Sequence, residues 1–233
     1  MQRNEFLKRL GFSTLAPVLL ACDSAGDEIL NSDTTANDGT TGTCTTTHSE
    51  TAGPYPTKNP SSLQMVDIRS DRTGVDMTVE ITIQNKNTNC APLQGAIVDI
   101  WHCDKDGNYS EYSSFSAVHF LRGRQVTDSS GKVGFKTIFP GWYNGRATHI
   151  HVHIYSSSGT SLLVTQIAFP EGSSSAVALV NAATAKGYTK GMSGYTYNSS
   201  DNVFSDGVST ELAFISGSVN DGYTLTHTIV VNG

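Results

Sequence analysis

Four side chains that can bind a metal ion lie in the middle of the sequence. His149 and His151 belong to a segment, His149 to Tyr155, in which polar and apolar residues alternate. Because successive side chains of a β-strand point to opposite faces, the two imidazoles lie on one face of the predicted strand. Tyr143 shortly precedes this pair, and Tyr109 follows an earlier predicted strand and a turn. The pattern therefore predicts a site shared by two imidazoles and two phenols.

Two phenols with two imidazoles favour ferric iron over Zn²⁺. Phenolate is a hard anionic oxygen ligand, whereas Zn²⁺ favours Cys, His and carboxylate. A free phenol has a pKa near 10 and is protonated at neutral pH, so a trivalent cation has to displace that proton. A His-x-His pair alone is also typical of a strand whose polar face carries histidines without a ligand role, and a lone tyrosine usually packs. It is the combination of all four that favours a metal centre.

Short strands joined by turns must position these side chains. Alternation of apolar and polar residues predicts the strands, and Asp-Gly and Ser-Gly pairs mark turns between them. The predicted strands cover 76–84, 96–102, 131–139, 149–155, 162–169, 210–216 and 222–231. One short helix is predicted at about 174–185. Many strands without βαβ spacing predict an all-β fold: an antiparallel β-sandwich with long active-site loops and at most one or two short helices.

The composition suits a single exported domain. The chain has 233 residues and a mass of 24.9 kDa, enough for one domain with a full core or at most two small ones. With 15 Lys and Arg against 21 Asp and Glu, its net charge is −6, and only 15% of its residues are charged. A weakly charged, acidic chain does not neutralise a phosphate backbone, so nucleic-acid binding is disfavoured.

The first 22 residues read as an export signal. Arg3, Lys8 and Arg9 precede the apolar run 10–20, which is too short for a hydrocarbon core that needs about 20 residues. Leu19 to Cys22 resembles the lipobox of bacterial lipoproteins, which implies cleavage before Cys22 and a lipid on its thiol. We therefore expect an exported, lipid-anchored protein of the cell envelope, which touches the membrane only through that lipid. The choice between Sec and Tat export is open.

A polar linker and a disulfide are predicted next. Residues 23–47 are almost devoid of apolar side chains, which predicts a flexible tether before a folded domain at 48–233. If Cys22 carries lipid, three cysteines remain. Cys90 and Cys103 flank a predicted strand that spans roughly 23 Å, whereas bridged Cα atoms lie within about 7 Å. We therefore expect Cys44 to pair with one of these two, and the partner is open.

The sequence resembles the intradiol ring-cleavage dioxygenases, the family of protocatechuate 3,4-dioxygenase and catechol 1,2-dioxygenase. The resemblance covers about 49–231 and is closest to the exported, single-chain branch. It rests on the order and spacing of several short motifs. These are Glu50 to Tyr55, Val98 to Trp101, Gly107 to Tyr109, Arg122-Gly123, Thr127-Asp128, Gly131 to Phe135, Thr137 to Gly141, Arg146 to His151 and Thr165-Gln166.

The resemblance implies a role for each matching residue. Tyr109, Tyr143, His149 and His151 would hold a mononuclear, non-haem Fe(III), and Tyr143 would leave the iron when a catechol binds. Arg146 would stabilise negative charge on the substrate. Gln166 would lie beside the iron and substrate, and Tyr55 would line the pocket mouth. His153 is not a ligand in the family pattern and is interpreted as a neighbouring or surface group.

The implied reaction is cleavage of a catechol by O₂ between its two hydroxylated carbons, giving a cis,cis-muconate. One alternative is a non-catalytic surface lipoprotein whose β-sandwich captures a metal or a glycan. A second is a Zn²⁺ hydrolase that uses the histidines. The substrate's substituents and the oligomeric state are open.

Overall fold

Two β-sheets packed face to face make up residues 44–233, the part of the chain that the computed structural model describes. The predicted export signal, and the predicted tether up to residue 43, lie outside the described residues. The first sheet contains β1 (Asp76–Asn85), β2 (Ala91–Pro92), β5 (Lys132–Ile138), β8 (Phe214–Ser218) and β9 (Gly222–Val231). The second contains β3 (Ile97–Trp101), β4 (Arg122–Val126), β6 (His149–Tyr155) and β7 (Ser161–Ala168). The predicted all-β sandwich is confirmed.

Strand pairing departs from a purely antiparallel sandwich at one place. The second sheet has the order β4-β3-β6-β7 and is antiparallel throughout. In the first sheet, however, β1 pairs with β9 in parallel, from Met77 opposite Tyr223 to Asn85 opposite Val231. Residues 86–221 separate the two strands along the chain, so no tight hairpin forces them to run in opposite directions.

The core between the sheets follows the alternation seen in the sequence. The inward side chains of β1 are Met77, Val79, Ile81 and Ile83, each at most 2% exposed. Ile150, Val152 and Ile154 of β6 are fully buried in the same cluster. Full burial of one such side chain stabilises the fold by roughly 1.5–3 kcal/mol. The apolar face of β6 therefore fixes the strand, and its other face carries the histidines.

Helical structure is sparse within residues 44–233. The single α-helix there, α1, covers Ala176–Asn181, inside the predicted segment 174–185. The Ser175 side chain caps it by accepting a hydrogen bond from the Ala178 amide at 3.2 Å. No helix in the described part is long and apolar enough to cross a membrane.

The start of the described chain is fixed to the first sheet. Cys44 is bridged to Cys90, with 5.8 Å between their Cα atoms, and Cys103 is free and buried. The prediction that Cys44 pairs with Cys90 or Cys103 is confirmed. The Thr47 amide donates to the Val230 carbonyl on β9. The last residues of the segment predicted as a tether thus contact the domain.

Two long loops leave the same end of the second sheet. The loop 102–121 joins β3 to β4, and the loop 139–148 joins β5 to β6. The end of β3 lies beside β6, because Trp101 is opposite His151 in the register. The loops therefore extend over the end of β6 that carries His149 and His151. Long loops at the candidate site are what the sequence predicts.

Candidate metal centre

The two imidazoles meet at the start of β6. The Nε2 atoms of His149 and His151 are 3.1 Å apart, and both residues are at most 2% exposed. The Nδ1–H of His149 donates to the Ala147 carbonyl at 2.6 Å, which leaves a lone pair on Nε2. The His151 ring stacks on Trp101, with centroids 4.9 Å apart and planes 2° from parallel. Backbone register and stacking thus aim both Nε2 atoms at one point.

Tyr109 reaches this point from the loop 102–121. Its hydroxyl lies 3.3 Å from Nε2 of His149, and the residue is 5% exposed. The loop turns at Gly107, where φ is +87°, and the Asp104 side chain accepts hydrogen bonds at 2.9 Å from the amides of Asp106 and Asn108. An aspartate that bonds the backbone just ahead of it is typical of a tight turn. This local turn places Tyr109 over the histidines.

Tyr143 approaches from the loop 139–148. Its ring centroid is 5.8 Å from those of Tyr109 and His149, and the residue is half-buried. Glycine lets the two loops touch, because a Cβ on Gly141 would lie 2.3 Å from the Lys105 carbonyl oxygen. The indole N–H of Trp142 donates to the Gly191 carbonyl at 3.0 Å and fixes the residue before Tyr143. All four predicted ligand residues therefore lie together.

The protonation states match a site built for a cation. Burial, followed by the Arg146 charge, lowers the pKa of His149 to about 3. Burial and His149 hold the pKa of His151 well below its usual range. Both imidazoles are therefore neutral at physiological pH, the form that binds metals. Burial raises the pKa of Tyr109 well above that of a free phenol. A bound cation would lower this pKa.

The residues present fit a ferric ion. Two nitrogen ligands bound at about 2.1 Å and at a right angle are about 3 Å apart, close to the Nε2–Nε2 distance found here. Within residues 44–233 no group of three or more His, Cys, Asp or Glu side chains is placed to hold a metal ion, so the further donors at this site are the phenols. Hard phenol oxygens with neutral imidazoles suit Fe(III).

Arg146 and Gln166 lie beside the ligand group and contact each other. Nη2 of Arg146 donates to Oε1 of Gln166, and Nη1 lies 3.5 Å from Nε2 of His149. The Gln166 amide donates in turn to the Thr51 carbonyl at 2.8 Å. Gln166 is opposite His151 in the register of β6 and β7 and is fully buried. The structure thus places Arg146 and Gln166 beside the predicted ligands, and their roles stay predictions.

Asp201 holds Arg146 from the other side. Both of its carboxylate oxygens accept from Nε of Arg146 at 2.9 Å, and Oδ2 also accepts from the Ala147 amide at 2.8 Å. Asp201 is 2% exposed, so this is a buried ion pair whose remaining lone pairs are satisfied. The sequence gives no signal for this residue, because it lies far from Arg146 along the chain in an irregular segment.

The segment before the first sheet covers the site. The Tyr55 ring stacks on Tyr109 with centroids 4.8 Å apart. Gly53, with φ of +66°, approaches His151 so closely that a Cβ would lie 3.0 Å from Cε1 of its ring. Tyr55 also lines a cleft of about 120 Å³ beside Tyr109 and Tyr112. The structure thus places Tyr55 at a cleft beside the ligand group, where the pocket mouth is predicted.

A larger depression of about 440 Å³ lies elsewhere, lined by Arg69, Arg72, Asp67 and Asp76 among others. Arg69 is paired with Asp67 at 2.7 Å and with Asp76 at 2.9 Å. Because these charges neutralise one another and no predicted metal ligand reaches the depression, the smaller cleft is the better candidate for the reaction.

The chain matches a known family over most of its described part. The family model described as Dioxygenase matches residues 51–208, more than half of the chain. The chain belongs to the intradiol ring-cleavage dioxygenase family. The match includes every residue of the candidate site, from Tyr55 to Asp201.

Two curated proteins match part of this chain in sequence. Chlorocatechol 1,2-dioxygenase of Rhodococcus opacus is 32% identical over 136 residues, which are 50% of this chain and 51% of that protein. The protocatechuate 3,4-dioxygenase beta chain of Burkholderia cepacia is 33% identical over 91 residues, 34% of this chain and 39% of that protein. The chain thus spans about half the length, or less, of these curated relatives.

A solved structure of the intradiol family covers more of the chain. The intradiol ring-cleavage dioxygenase from Tetranychus urticae matches with a TM-score of 0.72 and 29% identity, over 81% of this chain and 95% of that one.

His153 stays outside the intradiol ligand group. Its Nε2 lies 2.8 Å from the Ser161 hydroxyl, and its Nδ1 lies 2.8 Å from the Tyr155 hydroxyl. It shares a face with His149 and His151, but it is opposite Asp99 rather than Trp101 on β3. This placement agrees with its interpretation as a neighbouring or surface group.

Proposed function

We propose that this protein is a non-haem Fe(III) intradiol dioxygenase that uses O₂ to cleave a catechol between its two hydroxylated carbons. The product is a cis,cis-muconate-type dicarboxylate that retains both oxygen atoms of O₂. One observation carries the proposal: Nε2 of His149 lies 3.3 Å from the Tyr109 hydroxyl and 3.1 Å from Nε2 of His151, with the Tyr143 ring beside them.

Tyr109, Tyr143, His149 and His151 would hold the iron. When bound, ferric iron would chelate both catechol oxygens and lend the ring the radical character that it needs to react with triplet O₂. The reaction is supported by membership of the family, and the metal by the donor set.

The two phenols differ in freedom to move. Tyr109 is 5% exposed and packed beneath Tyr55, whereas Tyr143 is half-buried in a loop at the edge of the site. We propose that Tyr109 keeps its position through turnover, and that Tyr143 makes room for the catechol. Tyr143 would be a phenolate while it holds the iron, and once displaced its oxygen would accept a catechol hydroxyl proton as a general base.

Arg146 supplies positive charge where the substrate becomes negative. Its guanidinium is held by Asp201 and Gln166 within 3.5 Å of His149. A cation already in position in a buried site stabilises developing negative charge without a reorganisation cost. We propose that Gln166 orients Arg146 at the substrate, since it bonds both Arg146 and the Thr51 carbonyl.

Oxygen uptake with catechol tests the proposal. Protein loaded with Fe(III) should consume one O₂ per catechol and form a product with muconate absorbance. Tyr109→Phe should abolish uptake, whereas Tyr155→Phe, which removes a hydroxyl that contacts His153 and none of the four candidate ligands, should retain it. Iron binding without O₂ uptake for any catechol would instead favour a non-catalytic metal-binding module.

We further propose that the protein is exported and carries a lipid on Cys22. The segment 1–22 supports this, and the disulfide Cys44–Cys90 is typical of oxidising compartments outside the cytosol. Mass spectrometry of the N-terminal peptide from the native host tests it. An acylated Cys22 is expected, and a mature chain that retains Met1 would contradict it.

A further inference from the structure

Arg122 has a fully buried side chain next to the candidate iron ligands, in a motif to which the proposed reaction assigns no role. It is the first residue of β4 and lies opposite Trp101 on β3. Its Nε donates to the Ser110 hydroxyl at 2.9 Å, and its Nη2 donates to the Ser110 carbonyl at 2.6 Å. These two bonds fix the residue that follows Tyr109.

The same guanidinium also holds the segment that covers the site. Its Nη1 donates to the Tyr55 carbonyl at 2.9 Å and to the Thr57 hydroxyl at 3.1 Å. Tyr55 in turn stacks on Tyr109. One planar side chain therefore holds Tyr55 through its own carbonyl and Tyr109 through the next residue, Ser110. The single point charge of a lysine does not reproduce this fork of hydrogen bonds.

The positive charge of Arg122 lies close to the Tyr109 ring. Its Cζ is 6.0 Å from the ring centroid. Glu111 is the carboxylate paired with it, at 3.8 Å, and that carboxylate also accepts from the Lys58 amide at 2.7 Å and faces His119 at 2.8 Å. Glu111 is therefore the main charge partner of Arg122, and the guanidinium also lies close to the Tyr109 and Tyr112 rings.

The backbone around these contacts is strained. Glu111, Ser113 and Leu121 all have φ between +48° and +67°, although none is glycine. Such conformations are unfavourable for residues other than glycine and persist only where the surroundings fix them. The two bonds from Arg122 to Ser110 supply part of that restraint beside Tyr109.

We propose that Arg122 is a positioning residue for the substrate cleft, which fixes Tyr55 against Tyr109 and places positive charge beside the Tyr109 phenol. The proposal rests on the proposed iron-dependent function. It predicts two separable effects, one on substrate binding through Tyr55 and one on the colour of the iron-loaded protein through Tyr109.

Three variants separate geometry from charge. Arg122→Lys keeps the charge but not the forked hydrogen bonds, and Arg122→Gln removes both. Arg124→Gln is the matched control, because Arg124 lies two residues along the same strand face and pairs with Asp99 instead. Each is loaded with Fe(III), and its visible spectrum, KM and kcat for catechol are measured.

The account predicts a KM increase of about tenfold or more in both Arg122 variants, since each loses hydrogen bonds from a charged donor. The visible band should move to longer wavelength in Arg122→Gln alone, because the phenolate loses a stabilising cation. In Arg124→Gln the KM and the position of the visible band should both match those of the wild type. An unchanged band in Arg122→Gln with an unchanged KM in Arg122→Lys would overturn the proposal, as would equal changes in the control.

Two further outcomes are distinguishable. A colourless wild type loaded with iron contradicts the proposed function itself, whereas a coloured wild type with wild-type-like Arg122 variants contradicts only the role of Arg122. Should Arg122→Gln not fold, Thr57→Val provides the test. Valine has the same shape as threonine, so this change removes one hydrogen-bond acceptor of the Arg122 guanidinium at a part-buried position and alters little else. Its KM should rise while its kcat stays the same, and an unchanged KM would contradict the proposal.

Discussion

Asp201 and Arg146 form a buried pair in which both carboxylate oxygens accept from Nε at 2.9 Å. The pair leaves the Nη atoms of Arg146 directed toward Gln166 and His149. The Asp201 carboxylate thus fixes the orientation of the Arg146 guanidinium, although Asp201 contacts none of the candidate iron ligands itself.

Replacing Asp201 with Asn should therefore impair turnover without removing iron. The amide is isosteric, but it cannot accept at both positions, so Arg146 loses its fixed orientation. We expect kcat for catechol to fall about 10- to 100-fold, as is usual for residues that orient a catalytic group, with the visible band of the resting protein retained. The control is Asp206→Asn, at a side chain that is 58% exposed. A wild-type kcat in Asp201→Asn would contradict the prediction.

Gly53 should be required for the His151 orientation. In Gly53→Ala the new Cβ would lie 3.0 Å from Cε1 of His151, and the backbone φ of +66° is also unfavourable for alanine. We expect loss of iron and colour together with a destabilisation of about 1–3 kcal/mol.

Gly159→Ala separates these two effects. Its φ is +87°, but its Cβ would meet nothing within 4 Å. Gly159→Ala should be destabilised about as much as Gly53→Ala, but it should keep its iron. Thermal unfolding measures the stability of each variant, and metal analysis measures its iron content. Equal iron content in the two variants would show that the contact with His151 is unimportant.

Stability should depend on pH through Glu211. This side chain is fully buried and faces the carboxylates of Glu50 and Asp206. Burial, then Glu50 and Asp206, raise its pKa to about 8, while the Thr165 hydroxyl acts in the opposite direction. Because the folded-state pKa is raised above the unfolded value, the protonated group contributes stability that is present below about pH 4.5. That stability is lost as the pH rises toward 8.

Glu211→Gln mimics the protonated side chain at every pH. It should match the wild type near pH 4.5 and be more stable by roughly 2–4 kcal/mol at pH 8. The difference in unfolding free energy between the two proteins, measured by denaturant titration across this range, checks the prediction. A difference that is constant with pH would show that Glu211 does not titrate as described.

The site could be predicted from the sequence where local rules apply. The alternation in His149 to Tyr155 predicts β6 with the bounds found in the structure, and therefore the shared face of the two histidines. The Asp-Gly turn before Tyr109 is also a local signal. The two donor types, phenol and imidazole, then favour ferric iron by their chemistry.

Features that depend on distant parts of the chain could not be predicted. The strand β4, with sequence RGRQV, has no apolar alternation, because Arg122 is buried through hydrogen bonds rather than by its hydrophobicity. The parallel pairing of β1 with β9 arises from the path of the whole domain. Asp201 meets Arg146 only through tertiary folding, and Trp101 stacks on His151 only because β3 and β6 are neighbours.

The visible spectrum of the purified protein loaded with Fe(III), recorded without oxygen before and after addition of catechol, tests the central claim most directly. A burgundy protein is expected, with one iron per chain, a band that changes on catechol binding, and loss of the resting colour in Tyr109→Phe. A protein that takes up no iron and stays colourless when Fe(III) is supplied would contradict the claim that Tyr109, Tyr143, His149 and His151 form one metal centre.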